Sequence, residues 1–387
     1  MLNFDLSEEH NILRDQVRSF AEKEIAPIAE KLDEEAEFSL ELTRKMAEMG
    51  LFGMFVSEKY GGSEVGYLGY IIAVEEIARV DGSSAATVAA GNSLGIGPIY
   101  YFGSEEQKKT WLPRLCSGEI LASFGLTEPN AGSDAMRSKT TAVLENGEWV
   151  INGSKIFITN AASEIAGVCV VQAVTGKTNG ERPELSCILV PTDTPGFSRV
   201  AMKKKLMWRS SDTGELYFDD VRVPESNLLG NRGDGFRQMM KTLDGGRLSI
   251  AAMGLGGAQG AFDAAMKYGQ ERIQFNKPVG NFQVNAYRLA DCAVKIETAR
   301  LLLYKTCWLR ENGRAFGKEA AMAKLYCSEV MREVSHFAVQ LHGGYGLMKE
   351  YPVERFYRDQ RLLEIGEGTS EIQRLVIARH LGLKPIF

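Results

Sequence analysis

The stretch TTAVLENGEWVINGSKIFIT, residues 140–159, lies within an extended pattern that replaces the helical pattern of the chain near residue 120. Its runs are short and either alternate or are β-branched. Asn146-Gly147 and Asn152-Gly153 between them are dipeptides typical of two-residue hairpin turns. Similar runs lie at 120–127, 167–175, 185–192 and 215–223. We therefore predict a β-domain of roughly 110 residues, built as a small barrel or sandwich.

The sequence on both sides of this β-domain is helical. Before it, Ser7 and two following glutamates form an N-cap with an acidic first turn, and Ser104 with Gln107 has capping-box spacing. After it, apolar stripes run through 235–275, 282–311 and 317–341, and two shorter helices follow. The expected fold is an α+β multidomain protein with an N-terminal α-helical domain (1–120), a middle β-barrel or sandwich domain (121–231) and a C-terminal α-helical bundle (232–387).

Composition and charge argue against several classes of function. The 387 residues include 45 basic and 50 acidic side chains, a net charge of −5, which argues against a nucleic-acid surface or a polybasic membrane patch. The six cysteines are scattered without a CxxC pair and the four histidines lack metal-ligand spacing, so we expect no metal. The first seven residues lack a cationic, apolar signal region, and no apolar run is long enough to span a bilayer. We expect a cytoplasmic protein, or a mitochondrial-matrix protein if it is a processed eukaryotic form.

The most informative polar stretch is IGEGTSEIQR, residues 365–374, which places one carboxylate, Glu367, between two glycines. Helical patterns lie on both sides of it, so the stretch predicts a tight turn between two helices, with Thr369 or Ser370 capping the second. The N-terminus of that second helix would attract a phosphate. A helix break with a solvated glutamate explains the stretch equally well when it is taken alone.

Three further stretches are candidates for holding a planar, polar ligand. GLTEPNAGSD, residues 125–134, offers hydroxyls and backbone N–H groups after the first strand, although a surface loop has the same composition. IFITN, residues 156–160, places an aromatic ring two residues before a hydroxyl, which ordinary strand packing also explains. QLHGGYG, residues 340–346, breaks a helix with glycines that expose amides for a pyrophosphate, while His342 taken alone is more often structural. Arg272 closes a helix, either as a phosphate ligand or as a C-terminal cap.

Together these stretches resemble the signatures of one enzyme family. Residues 125–134 resemble the first signature of the acyl-CoA dehydrogenases, and residues 340–359 resemble their second signature at every spacing. Glu367-Gly368-Thr369-Ser370 resembles their catalytic turn. The resemblance covers essentially the whole chain, including the helix–β–helix order. It implies the acyl-CoA dehydrogenase fold, a homotetramer, FAD as cofactor, an acyl-CoA substrate and an electron-transferring flavoprotein as electron acceptor.

The resemblance also implies roles for individual residues. Glu367 would take the α-proton of the thioester while the β-hydrogen leaves as hydride to flavin N5, and burial should raise its pKa. The residues implied to hold the FAD of their own subunit are Phe124, Leu126, Thr127, Ser133, Phe157, Ile158, Thr159, Thr369, Ser370 and Glu371. Those implied to serve the neighbouring subunit's FAD are Arg272, Phe275, Gln283, Gln340, Leu341, His342, Gly343 and Gly344. Those implied to touch acyl-CoA are Ser133, Asp244, Arg247, Gly366 and Gly368.

Four positions bear on how the family pattern applies here. Some members place the base at the position of Gly246, where glycine cannot serve, which leaves Glu367 as the candidate. Gly366 stands where straight-chain enzymes usually carry tyrosine, which favours a short, branched or cyclic acyl group unless a neighbouring side chain fills the space. Arg137 replaces a small residue and is either a solvated surface arginine or a contact to a CoA phosphate or a substrate carboxylate. Phe157 replaces a tryptophan, a conservative change.

Other functions fit the same residues. The alternatives are a straight short-chain (butyryl-type) dehydrogenase, a relative that works as an enoyl-CoA reductase or an acyl-CoA oxidase, and, outside enzymes, a silent acyl-CoA-binding scaffold. Intact Glu367, Thr159 and flavin segments argue against the scaffold.

Overall fold

The computed structural model describes residues 5–178 and 182–385; residues 1–4, part of the stretch predicted to lack a signal region, lie outside the described residues. Helices fill the chain up to the first strand. They are α1 (Glu8–Phe20), α2 (Ala26–Glu35), α3 (Leu40–Glu48), α4 (Gly66–Ala78), α5 (Gly82–Ala90), α6 (Gly97–Phe102) and α7 (Glu105–Cys116). Single π-helical turns at Ala21–Ile25 and Gly91–Ile96 join α1 to α2 and α5 to α6.

Side-chain caps fix where several of these helices begin. The Ser7 hydroxyl accepts a bond from the His10 N–H at 3.2 Å and starts α1. The capping box predicted at the start of α7 is confirmed, because Ser104 and Gln107 each accept a bond from the other's backbone N–H, at 3.2 and 3.0 Å. Helix α4 is buried along nearly its whole length, so it forms the centre of this helical region rather than a surface helix with one apolar stripe.

A curled seven-stranded sheet forms the middle region. Its strands are β1 (Leu121–Gly125), β2 (Thr141–Glu145), β3 (Glu148–Thr159), β4 (Ala166–Thr178), β5 (Arg182–Pro191), β6 (Phe197–Ala201) and β7 (Thr213–Pro224). The order is β1-β4-β2-β3-β7-β6, with β5 also on β4. Only the β1–β4 and β2–β4 pairs are parallel within the described residues. The inward faces of β3, β4, β5 and β7 form a separate core around Trp149.

One of the two predicted hairpin turns is present and the other is wrong. Asn146 (φ 51°) and Gly147 (φ 84°) form a two-residue turn between β2 and β3, with Glu145 and Glu148 paired across it. At Asn152-Gly153 strand β3 continues, and its register against β7 shifts there. A β-carbon at Gly153 would lie 2.6 Å from the Thr140 hydroxyl oxygen. The glycine therefore marks a bulge and a close approach, the other use of glycine inside a strand.

The last region is a bundle built on α8 (Gly235–Glu271), α9 (Gln283–Glu311) and α10 (Gly317–His342), followed by α11 (Val353–Leu363) and α12 (Ser370–His380). Helix α8 ends four residues before the predicted end at Phe275, because a small hairpin of β8 (Ile273–Gln274) and β9 (Lys277–Pro278) intervenes. Glycines on α8 allow a close approach to α4. A β-carbon at Gly256 would lie 2.1 Å from the Glu75 carbonyl oxygen.

A buried charged cluster joins the three regions. Asp359 of α11 is 1 % exposed and accepts a 2.8 Å bond from the Trp208 N–H, which lies between β6 and β7. Asp81, the cap of α5, lies beside it and 3.6 Å from Arg355 Nε. Burial, and then the proximity of Asp81, raise the pKa of Asp359 to about 7. Within the described residues, no helix combines the length and hydropathy that a membrane crossing needs.

Candidate active site

The predicted turn between two helices is present at Glu367. Helix α11 ends at Leu363, and Thr369 caps α12 by accepting a 3.3 Å bond from the Ile372 N–H. The positive φ angles fall on Glu367 (51°) and Gly368 (92°), not on Gly366. A glutamate in the left-handed region is uncommon and costs conformational energy, so surrounding contacts must hold it there.

Two buried side chains hold the carbonyl group of Gly368. Lys324 of α10 donates to this oxygen from Nζ at 2.7 Å, and Gln373 of α12 donates from Nε2 at 2.8 Å. Gln373 also reaches the Glu367 carbonyl oxygen at 3.2 Å. Lys324 and Gln373 are both completely buried. Neither residue was predicted from the sequence, because each lies in an ordinary helical pattern and meets the turn only in the folded chain.

One oxygen of the Glu367 carboxylate is enclosed, although the residue as a whole is half-buried. Its Oε2 is buried without a hydrogen-bond partner among the described residues. This oxygen faces Gly246 of α8, where a β-carbon would lie 1.8 Å away. Burial raises the pKa of Glu367 to about 8, while the charges of Lys324 and Arg247 act in the opposite direction. A carboxylate with such a pKa suits a general base near neutral pH.

A cavity of about 1010 Å³ lies along α8, and its lining includes Gly245, the chain neighbour of Gly246. Asp244 and Gly245 line it, together with Tyr67, Tyr101 and Arg310. Arg247 forms an ion pair with Asp244 and is 6 % exposed. Asp244 and Arg247 therefore lie near each other, within one turn of Gly246. Burial raises the pKa of Asp244, opposed by Arg247.

The 125–134 loop is fastened to the end of β3. Lys155 of β3 is 1 % exposed and pairs with Glu128 at 2.8 Å, and it also donates to the Leu126 carbonyl at 3.2 Å. The Ile156 N–H donates to the Thr127 carbonyl at 2.9 Å. Although burial acts to raise it, the pKa of Glu128 falls to about 2 because Lys155 and several hydrogen bonds stabilise the carboxylate. The Glu128–Lys155 pair was not predicted from the sequence, because its partners are 27 residues apart.

The residues of this region that were predicted to bind the flavin differ in the solvent exposure of their side chains. Phe157 is 63 % exposed at φ 63°, at a second register shift of β3 against β7. Ile158 is 3 % exposed within the sheet core, and Phe124 is 7 % exposed. The side chain of Ile158 therefore cannot cover a ligand, and only its backbone is available. Ser133 is exposed on the loop, and Leu126, Thr127 and Thr159 are half-buried.

A second cavity, of about 560 Å³, brings together Arg272, Leu341, His342, Gly343 and Gly344. His342 is 4 % exposed, donates from Nδ1 to the Ala338 carbonyl at 2.8 Å, and stacks on Tyr268 with ring centroids 4.1 Å apart. Burial lowers the pKa of His342. Its side chain is thus a packing element of the cavity wall, as expected for this residue taken alone.

The remaining predicted residues are not among those that line either cavity. Phe275 is 88 % exposed and forms an edge contact with Phe282, and Gln283 bonds to the Tyr287 hydroxyl at 2.7 Å. Gln340 and Glu371 are exposed, and Ser370 is buried. Arg137 is 82 % exposed and pairs with Asp134 at 2.9 Å, which matches a surface arginine.

Comparison with known proteins identifies the family. The models described as "Acyl-CoA dehydrogenase, N-terminal domain", "middle domain" and "C-terminal domain" match residues 7–119, 123–221 and 233–382. "Probable acyl-CoA dehydrogenase YngJ" of Bacillus subtilis is 50 % identical over 98 % of this chain and 100 % of the relative. "Acyl-CoA dehydrogenase, short-chain specific" of Clostridium acetobutylicum is 45 % identical over 97 % and 99 %. The solved structure of butyryl-CoA dehydrogenase from Megasphaera elsdenii superposes with a TM-score of 0.95, at 40 % identity, covering 99 % of this chain and 100 % of that one.

The described residues fit FAD, on which this family depends. Phe157 presents an aromatic ring beside the 125–134 loop, and the hydroxyl of Ser370 is buried at the start of α12 without a partner among the described residues. Nothing lies within 4 Å of a β-carbon added at Gly343 or Gly344, so the backbone there is open to a ligand. When bound, FAD accepts the hydride. The chain belongs to the acyl-CoA dehydrogenase family and is an FAD-dependent oxidoreductase that dehydrogenates an acyl-CoA thioester.

Proposed function

We propose that Glu367 is the base of this reaction. Its carboxylate would take the proton from the α-carbon of the acyl-CoA, and bound FAD would supply the acceptor for the β-hydrogen and its electron pair, so that a 2-enoyl-CoA results. The observation that carries the proposal is the enclosed, partnerless oxygen of Glu367, whose pKa burial raises to about 8. Gly246, opposite it, offers no rival side chain.

The backbone of the same turn supports a second role. The Glu367 N–H has no hydrogen-bond acceptor among the described residues, whereas the neighbouring Gly366 N–H donates to the Leu362 carbonyl at 2.7 Å. An unused, fixed N–H beside the base can donate to the thioester oxygen as negative charge develops on it. One such donor contributes on the order of 3 kcal/mol to transition-state stabilisation.

Cofactor and substrate would lie along the elements already described. Phe124, Leu126, Thr127, Ser133 and the 157–159 strand end, with Thr369, Ser370 and Glu371, hold the flavin of the same subunit in this proposal. Asp244, Arg247, Ser133, Gly366 and Gly368 contact acyl-CoA. The second cavity, with Phe275, Gln283 and Gln340, would serve FAD of a neighbouring subunit.

An exposed apolar stripe supports the proposed homotetramer. On α9, Tyr287, Val294, Leu301 and Trp308 recur every seven residues and are 47–66 % exposed. Residues at this spacing lie along one face of a helix, and four large apolar side chains in such a row are typical of a surface that another chain covers.

The proposed substrate is a short, branched or cyclic acyl-CoA. A β-carbon at Gly366 would meet its nearest neighbours, Leu362 Cγ and the Leu362 carbonyl oxygen, at 3.5 Å, an ordinary contact. The backbone therefore does not require glycine there, and its missing side chain leaves room beside Glu367. The straight short-chain alternative is favoured by the names of two relatives, "short-chain specific" and butyryl-CoA dehydrogenase. Comparing kcat/KM for butyryl-, isovaleryl-, 2-methylbutyryl- and cyclohexanecarbonyl-CoA decides between them, and a wide lead for butyryl-CoA would overturn the branched or cyclic proposal.

Anaerobic titration of the yellow protein with acyl-CoA tests the assignment of the base. Wild type should lose its flavin absorbance, while Glu367→Gln should keep FAD, bind acyl-CoA and remain oxidised. Near wild-type bleaching by the variant would contradict the role of Glu367. Electron transfer to an added electron-transferring flavoprotein supports the proposed acceptor, and rapid aerobic formation of hydrogen peroxide would instead indicate an oxidase.

A further inference from the structure

Lys324 is a charged side chain at the active-site turn that the reaction as described does not use. It lies on α10, is completely buried, and points its ammonium group at the Gly368 carbonyl, 2.7 Å away. No carboxylate forms an ion pair with it among the described residues. Lysine is almost never fully buried without a charged partner, because desolvating an ammonium group costs several kcal/mol. A buried lysine without an ion-pair partner at this position therefore calls for a functional explanation.

The hydrogen bond alone does not supply that explanation. The same carbonyl oxygen already accepts a bond from the neutral amide of Gln373 at 2.8 Å. A second neutral donor, or an apolar side chain, would fill the position of Lys324 without desolvating a charge. What a lysine adds is positive charge next to the carboxylate of Glu367.

The other ionisable groups around Glu367 are already engaged or neutral. Arg247 of α8 is ion-paired with Asp244, and the Tyr70 hydroxyl of α4 donates to the Ala89 carbonyl. Glu364, at the end of α11, is paired with Arg332 and Arg361, and Glu371 of α12 is exposed. Among these groups, Lys324 is the cation that no other carboxylate neutralises. Burial lowers the pKa of Lys324 to about 8, with Glu367 acting in the opposite direction, so the ammonium form predominates at neutral pH.

We propose that Lys324 is a positioning residue, which fixes the Glu367–Gly368 turn through the Gly368 carbonyl and increases the fraction of Glu367 that is ionised between turnovers. The inference rests on the proposed role of Glu367 as base. A cation beside a carboxylate favours its charged form and lowers its pKa. Replacing Lys324 by a neutral residue should therefore raise the pKa of Glu367 further and leave fewer molecules with an ionised base at neutral pH.

The pH dependence of flavin reduction in the FAD-loaded protein tests this inference. Lys324→Gln can still donate to the carbonyl but carries no charge; we expect the acid limb to move up by about one pH unit and the rate near pH 7 to fall about tenfold. Lys324→Arg should restore the wild-type limb because it restores the charge. Gln373→Leu, which removes the neutral donor to the same carbonyl, should lower the rate without moving the limb.

A second measurement does not need hydride transfer. A 3-thia-acyl-CoA has sulfur in place of the β-carbon, so it can lose its α-proton to the base but has no β-hydrogen to give. Exchange of its α-protons with deuterium from solvent, followed by NMR, should show the same displaced limb in Lys324→Gln. An unmoved limb in that variant, or an equal displacement in Gln373→Leu, would overturn the inference. Failure of Glu367 as base would show differently, as exchange that survives Glu367→Gln.

Discussion

The Glu367 carboxylate lies so close to the backbone of Gly246 that a β-carbon at position 246 would overlap it, 1.8 Å from Oε2. Heavy atoms that are not bonded do not approach to that distance, so the glycine on α8 and the glutamate on the turn are sterically coupled. The absence of a side chain at 246 thus creates the space in which Oε2 of the carboxylate lies, buried and without a hydrogen-bond partner among the described residues.

Gly246→Ala should displace the carboxylate and lower the rate of flavin reduction. Because Glu367 must rotate away from the added methyl group, we expect a loss of roughly tenfold to a hundredfold, the size that a misplacement of about 1 Å produces. Stopped-flow reduction with saturating acyl-CoA measures it. Gly366→Ala is the matched control, since its methyl group makes only ordinary 3.5 Å contacts and should change the rate little. Equal losses in the two variants would contradict the steric account.

The activity of wild type should rise with pH, and the midpoint of this rise should lie near pH 8. Glu367 works as a base only when ionised, and its pKa is raised to about 8 by burial. The kcat/KM profile of the free enzyme reports this ionisation. A limb near pH 4.5, the usual range of a glutamate, would show that the carboxylate is solvated in solution.

Because its pKa is raised, Glu367 should destabilise the folded protein at high pH, where the carboxylate is ionised. When the pKa of a carboxyl group is higher in the folded than in the unfolded protein, the folded state binds the proton more tightly. The resulting stabilisation is complete below the unfolded-state pKa and is lost as the pH rises through the folded-state pKa. Glu367→Gln removes this loss, so its Tm should exceed that of wild type by about 2 °C or more at pH 9 and by less at pH 5. Asp359 titrates in both proteins, so the difference isolates Glu367. A constant difference in Tm across this range would contradict the prediction.

Gly366→Tyr should change substrate preference. A ring at this position would occupy the space beside Glu367 that the glycine leaves open. We expect kcat/KM for branched or cyclic acyl-CoA to fall by about tenfold or more relative to butyryl-CoA, since a misfit of one methylene in a hydrophobic pocket is worth about 1–3 kcal/mol. Gly366→Ala again serves as the control, and an unchanged ratio in the tyrosine variant would show that another side chain limits the pocket.

Lys155→Met should destabilise the protein and loosen the 125–134 loop. It leaves Glu128 buried and without its cation, which typically costs about 3–5 kcal/mol. Denaturant unfolding and the FAD content after gel filtration both report the change. Arg137→Ala removes an ion pair that is largely exposed, on the same loop, and should cost under about 1 kcal/mol. Equal losses of stability and FAD in the two variants would show that the Glu128–Lys155 pair does not hold the loop in place.

The sequence was sufficient for the features that local patterns encode. Hairpin Asn146-Gly147, the capping box at Ser104 and the helical turn around Glu367 were all predicted, because a short run of residues determines each. At Asn152-Gly153 the same dipeptide lies at a bulge. Only the pairing with the neighbouring strand β7 distinguishes this bulge from a hairpin turn. Lys324 and Lys155 carried no local signal at all. Their partners lie 44 and 27 residues away, and their burial becomes visible only after the chain has folded.

The cluster of Asp81, Trp208, Arg355 and Asp359 has a consequence for how the molecule unfolds. Each of the three regions contributes to it, and removing any one would leave buried charges of the others facing water or one another. We therefore expect the two ends of the chain and the sheet between them to open together. Heating should give a single calorimetric transition, and a fragment cut at the family boundaries should not fold cooperatively by itself.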